Sequence, residues 1–504
     1  MKCFLNRVVI AVTTLIRRIC TVRGALFSDR SFKLESRCKV ALIIYFLLLF
    51  LPISVFVHPL AIASPPNILF IPVDDLNDWV GHLGGHPQTK TPNIDRLAGM
   101  GVSFAKAFCN APLCNPSRVS LFSGLLPSNS GVYGNGEMMR DKIPAVFTLM
   151  QYLRWAGNYS VQGGGKTFHG SGSYDEASWD YYNEPHRDRR RVGERDEGLS
   201  EEAWAPWGPL DVEDSELFDV KNVDWAISEI KKSHDKPFFI ACGFTKPHLP
   251  WYAPRKYFEK HPKESIVLPE VLDHDRDDLP YWGKKFAIEV HQVSSARNFA
   301  THGEDHYMVT KHGQWEKAVQ SYLATITFVD HHIGRLIDAV ENSKHADNTI
   351  IVLWGDHGWH LGEKQHWRKH ALWDVTTRTT MIIAGKGVAA KGKLCHRPVS
   401  LIDLYPTMVE MTGVPKRDGL DGQSLVPLLE NPESEWDKPV LTTFGYQNHA
   451  IKTDKWRYIR YNDGGEELYN NEADPNEWVN LASFSKYESV KAELSKYLPV
   501  RNVR

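Results

Sequence analysis

Two short apolar runs that each end in acidic residues constrain the fold of this chain more than any other feature. Residues 66–75 read PNILFIPVDD, and residues 348–363 read NTIIVLWGDHGWHLGE. A short, uninterrupted apolar run followed by polar residues is typical of a buried parallel strand. Because functional groups in open α/β sheets collect at the carboxyl ends of the strands, the two runs predict an α/β fold with a site at that edge.

Other segments extend this pattern along the chain. SVQGGGKTFHG (160–170) and KPFFIACGFTKPHLP (236–250) each predict a strand that runs into a loop, and residues 315–342 have the apolar spacing of a helix. We therefore predict a large α/β domain over residues 64–436, with a mixed, mostly parallel sheet flanked by helices. Short runs separated by turn residues predict a smaller antiparallel α+β subdomain over residues 437–504.

The N-terminal segment, residues 1–63, has the features of an export signal. Its first 39 residues carry nine Lys and Arg and two acids, and the uncharged apolar run 41–57 follows. Ala61 and Ala63 then fit an A-x-A cleavage site. The segment predicts a periplasmic or secreted protein in a bacterium, or a lysosomal one in a eukaryote. The alternative is an uncleaved membrane anchor, although the run is short for a membrane span.

Charge and cysteine content exclude some classes of protein. Without residues 1–63 the chain keeps 50 Lys and Arg and 59 Asp and Glu, a formal net charge of −9. A broad nucleic-acid-binding surface is therefore not expected, and an anionic substrate needs a local basic pocket. Only Cys109, Cys114, Cys242 and Cys395 remain, which is too few for a disulfide scaffold, and no CxxC zinc spacing occurs.

Two pairs of residues are candidate metal ligands. Asp74 and Asp75 follow one predicted strand, and Asp356 and His357 follow another. Three carboxylates suit a hard divalent cation such as Ca²⁺ or Mg²⁺. Either pair alone is as well explained by a turn or a helix cap. Because both pairs occupy the same position in a strand–helix unit, a metal site is favoured over two unrelated turns or caps.

Basic residues follow the same predicted strands. Lys166 and His169 lie in a Gly-rich loop, His248 lies in KPHLP, and Lys369 lies in HWRKHALWD. Each residue alone is typical of a solvated surface group. Together, at the ends of neighbouring strands, these residues would surround an anion.

The stretch PLCNPSRVSLFSG, residues 112–124, places a cysteine at the start of a predicted helix. Pro116 suits a first helical turn, so Cys114 would lie at the helix N-terminus, where the dipole favours negative charge. Arg118 adds a fixed cation one turn later. The pattern indicates either an activated thiolate or a buried structural cysteine. A thiolate beside a hard-metal site is a mismatch, because thiolates prefer softer metals.

The motif from Cys114 to Arg118, followed by a helix and Gly124, resembles the signature of type I sulfatases. Further segments resemble landmarks of that family in the same order: VDD, TPNIDRLA, GKTFH, KPHLP, GDHGWHLGE, DLYPT, DGQSLVPLL and KWRYIRYN with ELYNNEADPNEWVNLA. GKTFH, KPHLP and DHGWHLGEKQHWRKHALWDVTTR are most similar to the iduronate-2-sulfatases. The resemblance covers almost all of the chain after residue 63 and implies an alkaline-phosphatase-like fold.

The resemblance implies that a maturation enzyme oxidises Cys114 to Cα-formylglycine. The hydrated aldehyde is an oxygen nucleophile and an oxygen ligand, so the mismatch with a hard metal disappears. Arg118 would hold this hydrate. One Ca²⁺ would be held by the formylglycine and by the two predicted pairs, Asp74, Asp75, Asp356 and His357.

The resemblance also implies the roles of the basic residues. Lys166, His248 and Lys369 would bind sulfate oxygens while the hydrate attacks sulfur and forms a sulfate ester on residue 114. His248 would protonate the leaving sugar oxygen and His169 would act as the base that helps expel sulfate, although these two roles can be exchanged. Trp359 and His370 are predicted to contact the sugar.

The implied substrate is a sulfated oligosaccharide, with the 2-O-sulfate of iduronate as the specific prediction. The alternatives are another algal or host polysaccharide, or a phosphodiester or phosphonate monoester in the same superfamily. A non-catalytic glycan-binding protein is a further alternative, but such a protein would be expected to lose part of the charged set, and the whole set is present.

Overall fold

The computed structural model describes residues 64–170, 175–183, 207–288 and 305–504. The predicted signal, residues 1–63, lies outside the described residues, so its prediction stays untested. Among the helices of the described ranges, none combines the length and the apolar character that a membrane span requires.

Within the described residues the central sheet has eight strands, and strands are numbered in the order in which they occur in these residues. The eight are β1 (Asn67–Val73), β2 (Gly101–Phe104), β4 (Ser160–Gly165), β5 (Tyr181–Asn183), β7 (Phe238–Gly243), β9 (Thr349–Gly355), β13 (Met381–Gly385) and β14 (Lys393–Cys395). They lie side by side in the order β14-β2-β13-β9-β1-β7-β4-β5. β13 is antiparallel to both of its neighbours, and the other pairs are parallel. The prediction of a mixed, mostly parallel sheet is confirmed.

Helices cover both faces of this sheet. The α-helices of the described residues are Pro92–Met100, Cys114–Ser123, Pro127–Ser130, Met139–Lys142, Leu149–Gly157, Phe218–Ile230, Arg255–Phe258, Tyr281–Ile288, Asp305–Lys311, Trp315–Glu341, Asp374–Thr377, Leu404–Met411, Val426–Glu430 and Glu488–Ser495. Successive side chains of β1 point to opposite faces, as strand geometry requires. Leu69 and Ile71 join the core on the side of helix Trp315–Glu341, whereas Phe70 joins the core that contains Phe122 of helix Cys114–Ser123.

Short strands connect the central sheet to its loops. The other strands that the structure describes before residue 437 are β3 (Ala107–Phe108), β6 (Trp207–Leu210), β8 (Trp251–Pro254), β10 (His360–Leu361), β11 (Trp367–Arg368), β12 (Arg378–Thr379) and β15 (Val399–Ser400). They pair as β12-β3-β15, β10-β11 and β6-β8.

The C-terminal part contains a separate antiparallel sheet. Its strands are β16 (Val440–Thr443), β17 (His449–Lys452), β18 (Trp456–Arg460) and β19 (Glu466–Asn470), paired in sequence order. With helix Glu488–Ser495 they confirm the predicted antiparallel α+β character. Residues Ser64–Arg504 pack as one compact unit, and the domain boundary at residue 437 stays a prediction.

Candidate active site

The carboxyl edge of the central sheet gathers the predicted metal-binding and anion-binding residues. β1 and β9 are parallel neighbours in register, so Asp74 and Asp356, the first residues beyond them, lie side by side. β4 and β7 are also parallel neighbours that end together. Lys166 and the loop that carries His248 therefore leave the sheet at the same edge. Parallel pairing explains why residues far apart in the sequence meet here.

Cys114 is the first residue of a buried helix, as the sequence predicts. Pro116 lies in the first turn, and the helix ends at Gly124, whose φ of 72° is the left-handed conformation that glycine adopts without strain. The Sγ atom of Cys114 lies 3.0 Å from Lys369 Nζ and 3.4 Å from His357 Nε2. Burial and Asp74 raise the pKa of the thiol, but Lys369 and other nearby cations outweigh them, and the net pKa is lowered.

Arg118 connects the two acidic strand ends. Its side chain is fully buried, its Nε donates to Asp356 Oδ2 at 2.9 Å, and its Nη2 donates to Asp74 Oδ1 at 3.1 Å. A third donor, Nη1, reaches the carbonyl oxygen of Thr167 at 2.9 Å. Burial alone would lower the pKa of Arg118, but the two carboxylates outweigh burial and raise it. The guanidinium therefore holds both carboxylates in place as a permanent cation.

Asp75 has an unusual backbone and an unpartnered oxygen. Its φ is 59°, in the left-handed region, and its N–H donates to Asp356 Oδ1 at 2.9 Å. Oδ1 accepts from Lys369 Nζ at 2.6 Å, whereas the buried Oδ2 has no hydrogen-bond partner in the described part of the chain. Burial raises the pKa of Asp75 to about 7. A buried oxygen without a donor in such a cluster is suited to a metal ligand.

The ligand atoms of the predicted metal site lie close together. Two overlapping groups each have all their ligand atoms within 4.8 Å of one another: Asp74, Cys114, Asp356 and His357, and Asp74, Asp75, Cys114 and His248. The Nδ1 atom of His357 faces the carbonyl oxygen of Gly358 at 3.0 Å, which leaves Nε2 for a ligand bond. The structure thus brings together all five predicted metal ligands.

The predicted sulfate-binding side chains surround the same cluster. Lys166 pairs with Asp74, and His248 Nε2 lies 3.8 Å from Asp75 Oδ2. Burial, followed by the charge of Lys166, lowers the pKa of His248 well below its usual value and that of His169 to about 4.

A cavity of about 680 Å³ lies beside this centre. Leu113, the residue before Cys114, lines it together with His169 and His370. The prediction that Trp359 contacts the sugar does not fit its position. Trp359 is only 1 % exposed, and its ring lies 5.3 Å from Lys369 Nζ and packs edge-on against Trp251. Trp359 therefore supports Lys369 from the core.

Sequence reasoning missed the residues that form the rest of this cavity. Trp282, Phe444 and Tyr446 line it, and no local motif indicates that helix Tyr281–Ile288 and the turn after β16 meet. It also missed Asn135, whose Oδ1 accepts from the N–H of Asn115 at 3.0 Å in the first turn of the Cys114 helix. An Asn in a Gly-rich loop, GVYGNGE, was the available signal.

Comparison with known proteins identifies the family. The family model described as Sulfatase matches residues 66–414. The chain belongs to the sulfatase family. A second model, described as N-sulphoglucosamine sulphohydrolase, C-terminal, matches residues 362–503 of this sulfatase. The predicted family is thereby confirmed, and the protein is a hydrolase of sulfate esters.

Individual relatives differ in what their names specify. The sulfatase is 37% identical over 461 residues to a protein named Sulfatase from Formosa agariphila, and the match covers 87% of each chain. It is 30% identical over 387 residues to iduronate 2-sulfatase of Homo sapiens, with 69% of each chain covered. A solved 2-O GAG sulfatase superposes with a TM-score of 0.66 at 23% identity, over 85% of this chain and 90% of that one. This superposition shows a shared fold.

Proposed function

We propose that this sulfatase hydrolyses the sulfate ester of a sulfated saccharide, with residue 114 as the nucleophile after a maturation enzyme has converted Cys114 to Cα-formylglycine. The observation that carries the proposal is the position of Cys114 Sγ, at a helix N-terminus and within 4.8 Å of ligand atoms of Asp74, Asp356 and His357. In the converted protein a hydroxyl oxygen of the hydrated aldehyde would take the place of Sγ. An oxygen there suits a hard-metal site, whereas a thiolate does not.

The residues around position 114 fit one Ca²⁺. The carboxylates of Asp74, Asp75 and Asp356 supply the oxygen ligands that a hard cation prefers, and His357 offers Nε2. The unpartnered Oδ2 of Asp75 supports this ligand set. When bound, the cation would act as a Lewis acid on a sulfate oxygen and lower the pKa of the attacking hydroxyl.

The cationic side chains of the chain would bind and polarise the sulfate. Lys369 and Lys166 each pair with a carboxylate of the cluster, so both amines already lie where an anion would enter. With His248 they would hold the sulfate oxygens and stabilise the charge that develops during attack. Arg118 would keep Asp74 and Asp356 in position, and Asp356 would take the proton of the attacking hydroxyl.

Two histidines are proposed for proton transfer. His248 would donate to the leaving sugar oxygen, and His169 would act as the base of the second step. A bound sulfate anion beside His248 favours its protonated form, which opposes the effect of burial. An acid matters most for a poor leaving group. His248→Gln should therefore slow saccharide sulfate hydrolysis far more than hydrolysis of 4-nitrophenyl sulfate. If His169→Gln shows this selective loss and His248→Gln does not, His169 has this role.

The specific saccharide is proposed as a 2-O-sulfated iduronate. The 30% identity to iduronate 2-sulfatase and the GKTFH, KPHLP and DHGWHLGE motifs support this proposal. The second candidate is a sulfated unit of another polysaccharide. The 37% identity to the Formosa agariphila protein, whose name specifies no sugar, supports the second candidate.

Export is proposed from the order of basic, apolar and small residues in residues 1–63. An N-terminus near residue 64, found by mass spectrometry of protein recovered outside the cytoplasm, would support cleavage. An intact N-terminus in the membrane fraction would support the anchor instead.

The test is sulfate release by protein that has been co-expressed with a maturation enzyme. The substrates are 4-nitrophenyl sulfate and a disaccharide with a 2-O-sulfated iduronic acid at its non-reducing end, and Cys114→Ala is the blank. Release from both substrates supports the proposal with iduronate. Release from 4-nitrophenyl sulfate alone retains the sulfatase and removes iduronate, and release from neither rejects the proposed function.

A further inference from the structure

Lys369 lies in a segment of strained backbone. Four residues between positions 364 and 370 have φ in the left-handed region, which side chains other than glycine rarely adopt: Lys364 (54°), Gln365 (51°), Arg368 (71°) and His370 (80°). Arg368 and His370 flank Lys369 directly. Such a conformation is unfavourable and persists only where the surrounding structure enforces it. The contacts that hold this segment therefore decide where the Lys369 amine lies.

The position of this amine matters because Lys369 reaches two parts of the proposed centre. Its Nζ atom lies 2.6 Å from Asp75 Oδ1 and 3.0 Å from Cys114 Sγ. Its side chain is only 6 % exposed, so the surrounding atoms leave it little room to adjust. A displacement of about 1 Å in a reacting centre can slow a reaction about a hundredfold. Lys369 therefore needs a backbone that is held in one place.

The peptide unit between Lys369 and His370 is contacted on both sides. Its N–H, which belongs to His370, donates to the carbonyl oxygen of Pro112 at 3.4 Å, two residues before Cys114. Its carbonyl oxygen, which belongs to Lys369, lies 3.0 Å from Nε2 of His366. The His366 contact is the shorter of the two, and a side chain makes it. The imidazole of His366 is therefore well placed to hold this peptide.

His366 also connects this peptide to the helix Tyr281–Ile288. Its Nδ1 atom lies 3.1 Å from the carbonyl oxygen of Ala287, in the last turn of that helix. The His366 residue is buried, and its ring packs edge-on against Trp373 with 5.8 Å between the ring centroids. A buried ring that contacts a group at each nitrogen cannot turn without losing those contacts. The ring can therefore keep the Lys369 peptide at a fixed distance from the helix.

Only one of the two carbonyl oxygens can accept a hydrogen bond from a neutral ring. Burial lowers the pKa of His366 to about 4, although both carbonyl contacts raise it. An imidazole with this pKa carries one N–H near pH 7, on Nε2 or on Nδ1. The left-handed residues on both sides of Lys369 need a contact that enforces them. This need favours Nε2 as the donor, with the Lys369 carbonyl oxygen as the acceptor.

We propose that His366 is a positioning residue of this sulfatase. Its Nε2–H donates to the carbonyl oxygen of Lys369 and fixes the backbone from which the Lys369 amine reaches Asp75 and residue 114. This inference rests on the proposed function, in which Lys369 binds sulfate, and adds a residue that has no part in the chemistry itself. Within the described residues His366 does not line the cavity beside Cys114, so we expect its effect on turnover to pass through Lys369.

Two substitutions of His366 separate the two ring nitrogens. The amide nitrogen of Gln lies near the position of the histidine Nε2, and that of Asn lies near Nδ1. His366→Gln therefore keeps a donor for Lys369, whereas His366→Asn keeps one for Ala287 only. Both variants lose the ring, so the difference between them reports on the hydrogen bond and not on packing. His261→Asn, at a buried histidine whose Nε2 faces Thr327 Oγ1 at 2.8 Å, controls for the loss of a buried imidazole.

The measurements are kcat and KM for 4-nitrophenyl sulfate, the Ki of inorganic sulfate, and thermal unfolding, all on protein co-expressed with a maturation enzyme. His366→Asn should lower kcat/KM by about ten- to a hundredfold and raise the Ki of sulfate, because the amine that binds sulfate is displaced. His366→Gln and His261→Asn should stay close to the parent protein in both quantities. Thermal unfolding above the assay temperature shows that each variant is assayed in its folded form.

A double-mutant cycle with Lys369→Met tests whether His366 acts through Lys369. In that case His366→Asn should slow the Lys369→Met protein no further, whereas an independent structural effect would multiply with the loss of the amine. Multiplied losses overturn the inference, and so does a His366→Asn variant that is at least as active as His366→Gln. Both results leave the sulfatase activity itself in place. A parent protein that does not hydrolyse 4-nitrophenyl sulfate rejects the proposed function, and the inference fails with it.

Discussion

The proposed catalytic centre and the aromatic wall of the adjacent cavity (Trp282, Phe286, Phe444 and Tyr446) lie side by side but are built on opposite principles. In the centre, Asp74, Arg118 and Asp356 are fully buried, and Arg118 forms an ion pair with each of the two carboxylates. In the wall, Trp282 and Tyr446 are neutral, half-buried and held by ring contacts. The centre lies at the ends of sheet strands, whereas the wall comes from a helix and a turn.

This difference determines how each region responds to change. A buried charge is tolerable only while its partner remains, so each residue of the centre depends on the others. Ring contacts are individually small and can be replaced by other apolar side chains. Substitutions in the wall should therefore be tolerated better than substitutions in the centre.

Removal of the nucleophile should have the largest effect on activity. Cys114→Ala is expected to lower kcat at least about a thousandfold, because no other group can replace a covalent nucleophile. Cys395→Ala, at a buried cysteine of β14, is the matched control and should keep kcat. Turnover of 4-nitrophenyl sulfate measures both. Residual activity in Cys114→Ala near that of Cys395→Ala would remove residue 114 from the mechanism.

Arg118→Met should reveal the mutual dependence of the buried charges. Loss of the guanidinium leaves Asp74 and Asp356 without their shared partner. The free energy of unfolding should therefore fall by about 3–5 kcal/mol. The control is Arg96→Met, because Arg96 pairs with Asp338 at 2.7 Å on the surface, where the loss should be below about 1 kcal/mol. Urea unfolding in calcium-free buffer measures the free energy of unfolding of both variants. If Arg118→Met and Arg96→Met lose the same stability, burial does not make the Arg118 pairs special.

Calcium removal should affect the centre and leave the wall unchanged. A chelator is expected to abolish turnover reversibly. Calcium at a hundred times its Kd should stabilise the fold by about 2.7 kcal/mol. Asp75→Asn should reduce that stabilisation, whereas Trp282→Ala should not. Thermal unfolding with and without calcium measures the difference, and a stabilisation by calcium that persists in Asp75→Asn would exclude Asp75 as a ligand.

Acid should destabilise the protein through a buried histidine next to the aromatic wall. His449 begins β17, next to the turn that carries Tyr446, and burial lowers its pKa to about 4 from the usual 6.5. The unfolded chain binds this proton more readily, so the contribution to stability is complete above pH 6.5 and is lost as pH falls towards 4. In His449→Gln the loss of unfolding free energy between pH 7 and pH 4 should be smaller by up to about 3 kcal/mol.

Urea unfolding between pH 7 and pH 4 measures how the free energy of unfolding depends on pH. His274→Gln, at an exposed histidine, is the control and should leave the dependence of stability on pH unchanged. An unchanged slope in His449→Gln would show that other groups carry the acid sensitivity.

The main elements of the centre are predictable because each depends on a local pattern. Apolar runs indicate the buried strands β1 and β9, and Pro116 and Gly124 indicate the ends of the Cys114 helix. Parallel pairing then puts the strand ends together without further information. The left-handed backbone of Asp75 was not predicted, because a φ of 59° at an aspartate follows from its contacts and not from its neighbours in sequence.

Sequence by itself determined the family, the α/β sheet and the residues that gather at its carboxyl edge, since motif spacing and strand periodicity are local properties of the chain. Tertiary structure alone decided that Trp359 is buried under Lys369 and that Trp282 and Tyr446 face the cavity. Trp, Tyr and Phe occur in cores and binding sites alike, so their type does not tell which role they take. Long-range packing, which brings helix Tyr281–Ile288 to the turn after β16, makes that choice.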